Sequence, residues 1–229
     1  MKIVWLGQAG LLFVHEKDGM TVMIDPYLSN SVVKYEPQND RRVPVNEAFL
    51  ELVPDVMIFT HDHLDHYDPE TVDVFLAKAQ KPILFLAPSS VYEKLKGYGQ
   101  KHRVVLFDAF TEWTEEGIRF RAIRAVHSDA HAIGVVVEDI ENQKTYYIAG
   151  DTLYSSKIFE DLPETIDIAF LPINGVGNNM NVCDAKRFFA ACRAKTAIPY
   201  HYGMFDEIDP ASFDTPNKIL LKEYVEKEI

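Results

Sequence analysis

Cysteine is nearly missing from this chain: 229 residues contain only Cys183 and Cys192. Nine positions apart in a segment that reads as helical, they face opposite sides at about 100° per residue and sit roughly 13 Å apart along the axis. That is too far for a bridge. Two unpaired thiols, both expected to be buried or half-buried, exclude a disulfide scaffold and point to a reducing, cytoplasmic compartment. Long apolar runs are missing as well. No stretch nears the ~18 residues of a membrane span, and no apolar core with a small-residue cleavage site follows Met1–Gly7. Basic residues are in deficit: Lys+Arg number 23 against Asp+Glu 35, a formal net charge of −12. The deficit argues against nucleic acid or an anionic membrane as partner and leaves a small molecule. A small anion is still admitted, because a local cationic centre overrides the global field. No repeat, low-complexity tract or Gly/Ser-rich linker divides the chain, so 1–229 reads as one domain.

What is present is a strand-rich pattern. Lys2–Leu6, Leu11–His15 and Thr21–Ile24 are apolar and β-branched, with Lys17-Asp18-Gly19 as a hairpin signal. Val56–Thr60 is a short continuous apolar run suited to a buried strand. Pro69 fits the first turn of a helix running to Ala79 with Asp68 as its cap. Ile83–Leu86 then reads as a strand and Pro88–Lys96 as a helix. The second half repeats the style, with strands at Val104–Phe107, Ile118–Val126, Ile133–Glu138, Thr145–Ile148, Ile168–Leu171 and Thr196–Pro199. Helices are expected at Ser155–Glu160, Cys183–Arg193 and Lys218–Lys227. Strand clusters leading into βα units, twice over, predict two mixed sheets with helices outside.

Chemistry concentrates in Thr60-His61-Asp62-His63-Leu64-Asp65-His66, an HxHxDH pattern at the C-terminal end of a predicted strand. Three histidines and two aspartates in six residues, in a turn, aim several imidazole and carboxylate ligands at one place. Those are donors for a divalent zinc, manganese or iron ion.

These residues closely resemble the signature of the metallo-β-lactamase superfamily, and the resemblance runs through the chain in family order. An aspartate-containing turn after the first strands is matched by Ile24-Asp25-Pro26, and the third histidine by Ala125-Val126-His127-Ser128, with Gly134 seven residues on. The bridging aspartate is matched in Gly150-Asp151-Thr152, and the last histidine in Tyr200-His201-Tyr202-Gly203. The resemblance implies an α/β (α+β) fold, a four-layer αββα sandwich. It implies one metal site of His61, His63 and His127, and a second of Asp65, His66 and His201, with Asp151 bridging. Asp25 would orient a histidine from behind, and Asp62 would face away or bond within the loop. His131 is the rival for the third-histidine role, but it lies too near Gly134 and reads as a pocket or surface residue. His15 and His102 have no companion motif.

The implied activity is hydrolysis. Two divalent ions, zinc or manganese with iron as the third alternative, would activate a water for attack on a polarised substrate oxygen. Asp65 and His201 are the candidates for passing a proton to the leaving group. Val126–Asp129 with Ala132–Gly134, Gly150–Tyr154, His201–Phe205 and the opening Trp5–Gly10 are similar to the ascorbate-6-phosphate lactonase-like branch. That implies a small ester or lactone as substrate, phosphorylated if an arginine serves it. Arg41, Arg42, Arg121 and Arg124 are available, although each reads first as a solvated surface charge. The Gly- and Asn-rich loop Pro172–Met180 is expected to border the pocket. Asn174, Asn178, His131 and Tyr202 are its candidate substrate contacts, and Tyr154 suits either cleft or core. The polar stretch Asn30–Asn46 reads as a lid or a surface excursion. Rival readings are a nuclease or phosphodiesterase of the same superfamily, a flavo-di-iron electron carrier, and a non-catalytic metal-binding module. A homo-oligomer is expected from the frequency of such assemblies among enzymes.

Overall fold

A computed structural model describes all residues, Met1 to Ile229. The chain forms two compact units. One comprises Met1–Leu106, Gly203–Glu207 and Leu221–Ile229, the other Phe107–Tyr202 and Ile208–Leu220. Each contains one mixed sheet.

The first unit opens with an antiparallel meander of β1 (Lys2–Gly7), β2 (Gly10–Val14) and β3 (Thr21–Ile24). Gly19, at φ 75°, turns the hairpin between β2 and β3. Parallel strands β4 (Val56–Ile58), β5 (Leu84–Ala87) and β6 (Arg103–Leu106) follow, joined through α1 (Pro69–Lys78) and α2 (Ser89–Leu95). Parallel neighbours require such crossovers. Alternate strand residues Val4, Leu6, Met23, Met57 and Phe85 pack with Val72 and Phe75 of α1 and Val91 and Leu95 of α2. Each such side chain contributes about 1.5–3 kcal/mol when fully buried.

The second unit repeats this plan. Strands β7 (Glu112–Glu115), β8 (Ile118–Arg124), β9 (Ile133–Asp139) and β10 (Lys144–Ile148) form an antiparallel meander. Parallel β11 (Ile166–Pro172) and β12 (Ala194–Tyr200) complete the sheet, with α3 (Val182–Ala191) between them. Phe188 of α3 stacks on Tyr147 with ring centroids 5.9 Å apart and packs at a tilt against Phe159 at 4.8 Å. Tyr154 joins this packing, edge-on to both Phe159 and Phe188.

Several expectations need correction. Residues 218–227 are not helical. Their spacing of Ile219, Leu220 and Tyr224 imitates a helix, but Ile219 N donates to Ala197 O at 2.9 Å and Tyr224 N to Trp5 O at 2.8 Å. Asn217 and Tyr224 take φ of 56° and 61°, and β13 (Glu226–Glu228) pairs with β1. Backbone pairing with strands already in place overrides local propensity. The segment at 155–160 is a 3₁₀ helix, Ser156–Glu160. Strand β7 carries too few apolar residues to have been visible in the sequence. Both cysteines are free as expected, but Cys183 is exposed on α3 and only Cys192 is buried.

Arg41 is not a solvated surface charge. Its Nη1 donates to Tyr27 O at 2.6 Å, Nε to Val43 O at 3.1 Å and Nη2 to Tyr224 Oη at 3.0 Å. Its guanidinium lies 4.9 Å from the Tyr27 ring centroid. Burial lowers the Arg41 pKa and pushes the Tyr27 hydroxyl up to about 12. The stretch 30–46 is therefore tied down through Arg41. Gly7, at φ 86°, lets the same region close, since a Cβ there would sit 2.5 Å from Met204 Cε. No helix is long and apolar enough to cross a membrane.

Candidate functional site

In the first unit, the chain leaves β4 into the histidine turn. Three hydrogen bonds to one buried carboxylate shape that turn. Asp25, directly after β3 and at φ 47°, accepts from Thr60 N at 2.7 Å and from Thr60 Oγ1 at 2.5 Å. Its Oδ2 also lies 2.8 Å from His66 Nδ1. Asp25 thus orients His66 from behind. The bond also favours a proton on Nδ1, leaving Nε2 as the donor atom for a metal.

The rest of the turn is equally determined. Ring centroids lie 4.5 Å apart for His61 and His63, and 4.0 Å apart for His61 and His66. Asp65 Oδ2 accepts from Gln8 Nε2 at 2.8 Å, and Trp5 Nε1 holds the Gln8 carbonyl at 2.8 Å. Asp62 turns away to Lys94 Nζ of α2 at 2.6 Å. The turn ends where the Asp68 side chain caps α1, accepting from Glu70 N and Thr71 N, with Pro69 in the first turn. His61 and His66 are fully buried, whereas His63 and Asp65 are half-exposed. Ligand atoms of His61 and His63 lie within 4.8 Å of each other, as do those of Asp65 and His66.

In the second unit, the candidate residues follow the ends of β8, β10 and β12. His127 comes three residues after β8, with Nδ1 3.4 Å from Asn178 O. Asp151, after β10, is 4% exposed, and its ligand oxygen lies within 4.8 Å of the His127 ligand nitrogen. His201 follows β12 at φ 57°. Its Nε2 lies 3.0 Å from Asp151 Oδ1, and its Nδ1 lies 3.1 Å from Asn174 Nδ2.

Loop 172–180 is stitched to these segments. Thr152 N donates to Asn179 Oδ1 at 2.8 Å, Met180 N to Thr152 O at 2.9 Å, and Val126 N to Thr152 Oγ1 at 2.9 Å. Gly175, at φ 69°, closes the loop against Asn181, where an added Cβ would come within 2.9 Å of Asn181 Cβ. Gly175→Ala is expected to cost about 1–2 kcal/mol, read as a lower urea midpoint. An unchanged midpoint would show that the loop relaxes freely.

The remaining candidates are also placed. Asn178 bonds through its backbone, and its φ is 64°. Tyr202 is buried, at 6% exposure. His131 is exposed, 3.8 Å from Asp108 Oδ1, and stands outside the groups of potential metal ligands. Arg121 pairs with Glu138, Arg124 with Asp161 and Arg42 with Glu207. Gln8, Thr60, Thr152 and Asn179 went unassigned in the sequence reading. Each acts through hydrogen bonds to residues distant in the chain, and no spacing rule exposes such bonds.

The comparisons with known proteins extend over both units. A family model described as a beta-lactamase superfamily domain matches residues 20–202. A UPF0173 metal-dependent hydrolase of Thermoplasma acidophilum is 32% identical over 228 residues, covering 93% of this chain and 89% of that protein. A UPF0173 protein of Pyrococcus furiosus is 29% identical over 218 residues, covering 93% and 89%. Among solved structures, a metallo hydrolase from Ignicoccus hospitalis superposes with a TM-score of 0.77 at 20% identity, covering 100% of this chain and 98% of that one. The two mixed sheets and their strand orders are thus those of the metallo-β-lactamase fold, and this chain belongs to the metallo-β-lactamase superfamily, within its UPF0173 metal-dependent hydrolases.

Proposed function

We propose that this chain is a metal-dependent hydrolase that acts through a two-metal centre. On this reading His61, His63, His127 and Asp151 form one ligand group and Asp65, His66 and His201 the other, with Asp151 shared. The donor set fits divalent zinc or manganese, having five imidazoles, two carboxylates and no cationic side chain. The observation that carries the reading is the support behind the donors. A buried carboxylate fixes His66 and a side-chain amide meets His201, as second-layer partners of metal-bound histidines do.

A bound ion pair supplies Lewis acidity and an acidified water. The chain's own groups do the rest. Gln8 occupies Asp65 Oδ2, so proton exchange at that carboxylate falls to Oδ1. His201, set between Asp151 and Asn174, is the second candidate for carrying a proton.

The substrate we propose is a small ester or lactone, as in the ascorbate-6-phosphate lactonase-like branch. Arg41, Arg42, Arg121 and Arg124 are engaged by protein partners, which favours an uncharged substrate over a phosphorylated one. The net charge of −12 favours a small molecule over a nucleic acid or membrane surface. Two free thiols suit a reducing cytoplasm.

Elemental analysis of the purified protein tests the centre. Up to two zinc or manganese ions per chain are expected, with occupancy falling in acid because the imidazoles must bind deprotonated. A chain that holds no metal after reconstitution would sink the proposal. A panel of lactones, thioesters and phosphodiesters, assayed with each metal, tests the substrate. Turnover of phosphodiesters alone would move the assignment to a phosphodiesterase.

A further inference from the structure

Strands β8 and β10 run in the same direction but are not neighbours, because β9 lies between them and pairs with both. Two strand spacings hold their backbones roughly 9–10 Å apart within the sheet. The chain reaches His127 from β8 and Asp151 from β10, so the sheet alone keeps the backbones of these two candidate ligands apart. β9 begins only at Ile133, opposite Arg124. Beyond that point the flanking chains close on each other until they bond directly, with Leu153 N donating to Val126 O at 2.9 Å. Ligand atoms of His127 and Asp151 then lie within 4.8 Å of each other.

Thr152 stands at the centre of this closure and engages every polar group it has. Its Oγ1 accepts from Val126 N at 2.9 Å and donates to Leu153 O at 3.0 Å. Its backbone N donates to Asn179 Oδ1 at 2.8 Å, and its carbonyl accepts from Met180 N at 2.9 Å. The residue is fully buried. Backbone pairing alone supplies one bond between the two chains, and one bond is a pivot. The hydroxyl supplies the second, which fixes the angle at which the chains meet. Branching at Cβ restricts the first side-chain torsion, so the oxygen is held where that bond needs it.

We infer that Thr152 is a positioning residue for the donor pair His127 and Asp151, with its hydroxyl setting their spacing. The inference rests on the proposal that these two residues hold a metal. Thr152 directly follows Asp151, and its partner Val126 directly precedes His127, so neither ligand can shift without straining the clamp. The two backbone bonds to Asn179 and Met180 tie the same point to loop 172–180.

The test compares Thr152→Val, which keeps the shape and removes the oxygen, with Thr152→Ser, which keeps the oxygen. Zinc(II) affinity is read on the full chain by chelator competition, with the urea midpoint measured alongside. Thr152→Val is expected to weaken at least one bound zinc by about 10–100-fold, while Thr152→Ser stays close to the parent. A lower midpoint in Thr152→Val with unchanged zinc affinity would leave the hydroxyl a merely structural role and overturn the inference. Equal weakening in both variants would also overturn it, since the oxygen would not be what places the pair.

Amide hydrogen exchange in the metal-free chain gives a readout that needs neither metal nor turnover. Removing the oxygen releases Val126 N directly. If the hydroxyl closes the two chains, Leu153 N and Met180 N should also exchange faster relative to amides within β9, although their own acceptors are untouched. Both should keep parental rates in Thr152→Ser. Faster exchange at Val126 alone would overturn the inference. If the parent takes up no zinc, the metal-centre proposal fails, and the clamp itself stands or falls on these exchange rates.

Discussion

Replacing Asp25 with alanine lowers stability by about 3 kcal/mol or more and loosens the histidine turn. The carboxylate is fully buried and receives Thr60 N, Thr60 Oγ1 and His66 Nδ1 within 2.8 Å. Truncation strands all three groups away from water, and each buried polar group without a partner costs about 1–3 kcal/mol. The loss should appear as a lower urea midpoint at unchanged slope, together with a metal affinity reduced about 10–100-fold. The variant Asp25→Asn keeps the shape and one acceptor, so it should fall between parent and alanine. A loss within about 1 kcal/mol would mean that water or neighbouring groups replace the carboxylate.

Replacing Asp151 with alanine should have the opposite profile, a modest effect on folding and a severe one on reaction. Asp151 lies past the end of β10, outside the strand itself, and its carboxylate faces both His127 and His201. On the two-metal reading its loss opens the ligand set of both ions. Hydrolysis of whichever ester proves active should fall by about 10³-fold in kcat/KM, with less than two metals retained per chain. Unchanged turnover with metal retained would remove Asp151 from the centre. The pair of variants separates the scaffold of the turn from the chemistry it serves.

The sequence exposed what repeats locally. The HxHxDH run, the Asp68-Pro69 helix start and the meander of β1 to β3 each carry their signal within a few residues, and the structure has them where the pattern predicted. The two mixed sheets were likewise legible from strand clusters feeding βα units. The failures are non-local. Residues 218–227 have the periodicity of a helix, but strands far away in the chain claim their backbone groups. Arg41 looked solvent-facing because nothing nearby predicts that Tyr27 and Tyr224 close around it. The candidate ligands came from the family pattern, whereas Gln8 gained a role only once its three-dimensional neighbour Asp65 was known, and Asn174, expected as a substrate contact, lies beside His201.

Strand β13 pairs Glu226 to Glu228 with Val4 to Lys2, and Tyr224 N reaches back to Trp5 O. During synthesis on the ribosome, β1 is therefore made before every other strand described here and keeps an open edge until Glu226–Glu228 has emerged. The second unit has every one of its strands by Tyr200, before that closing segment is translated. Its contacts are shorter in sequence, so it can consolidate earlier, while the first unit waits on a pairing of very large sequence separation. The slow step of folding, and the period of greatest exposure to aggregation, should belong to the half of the molecule that is translated first.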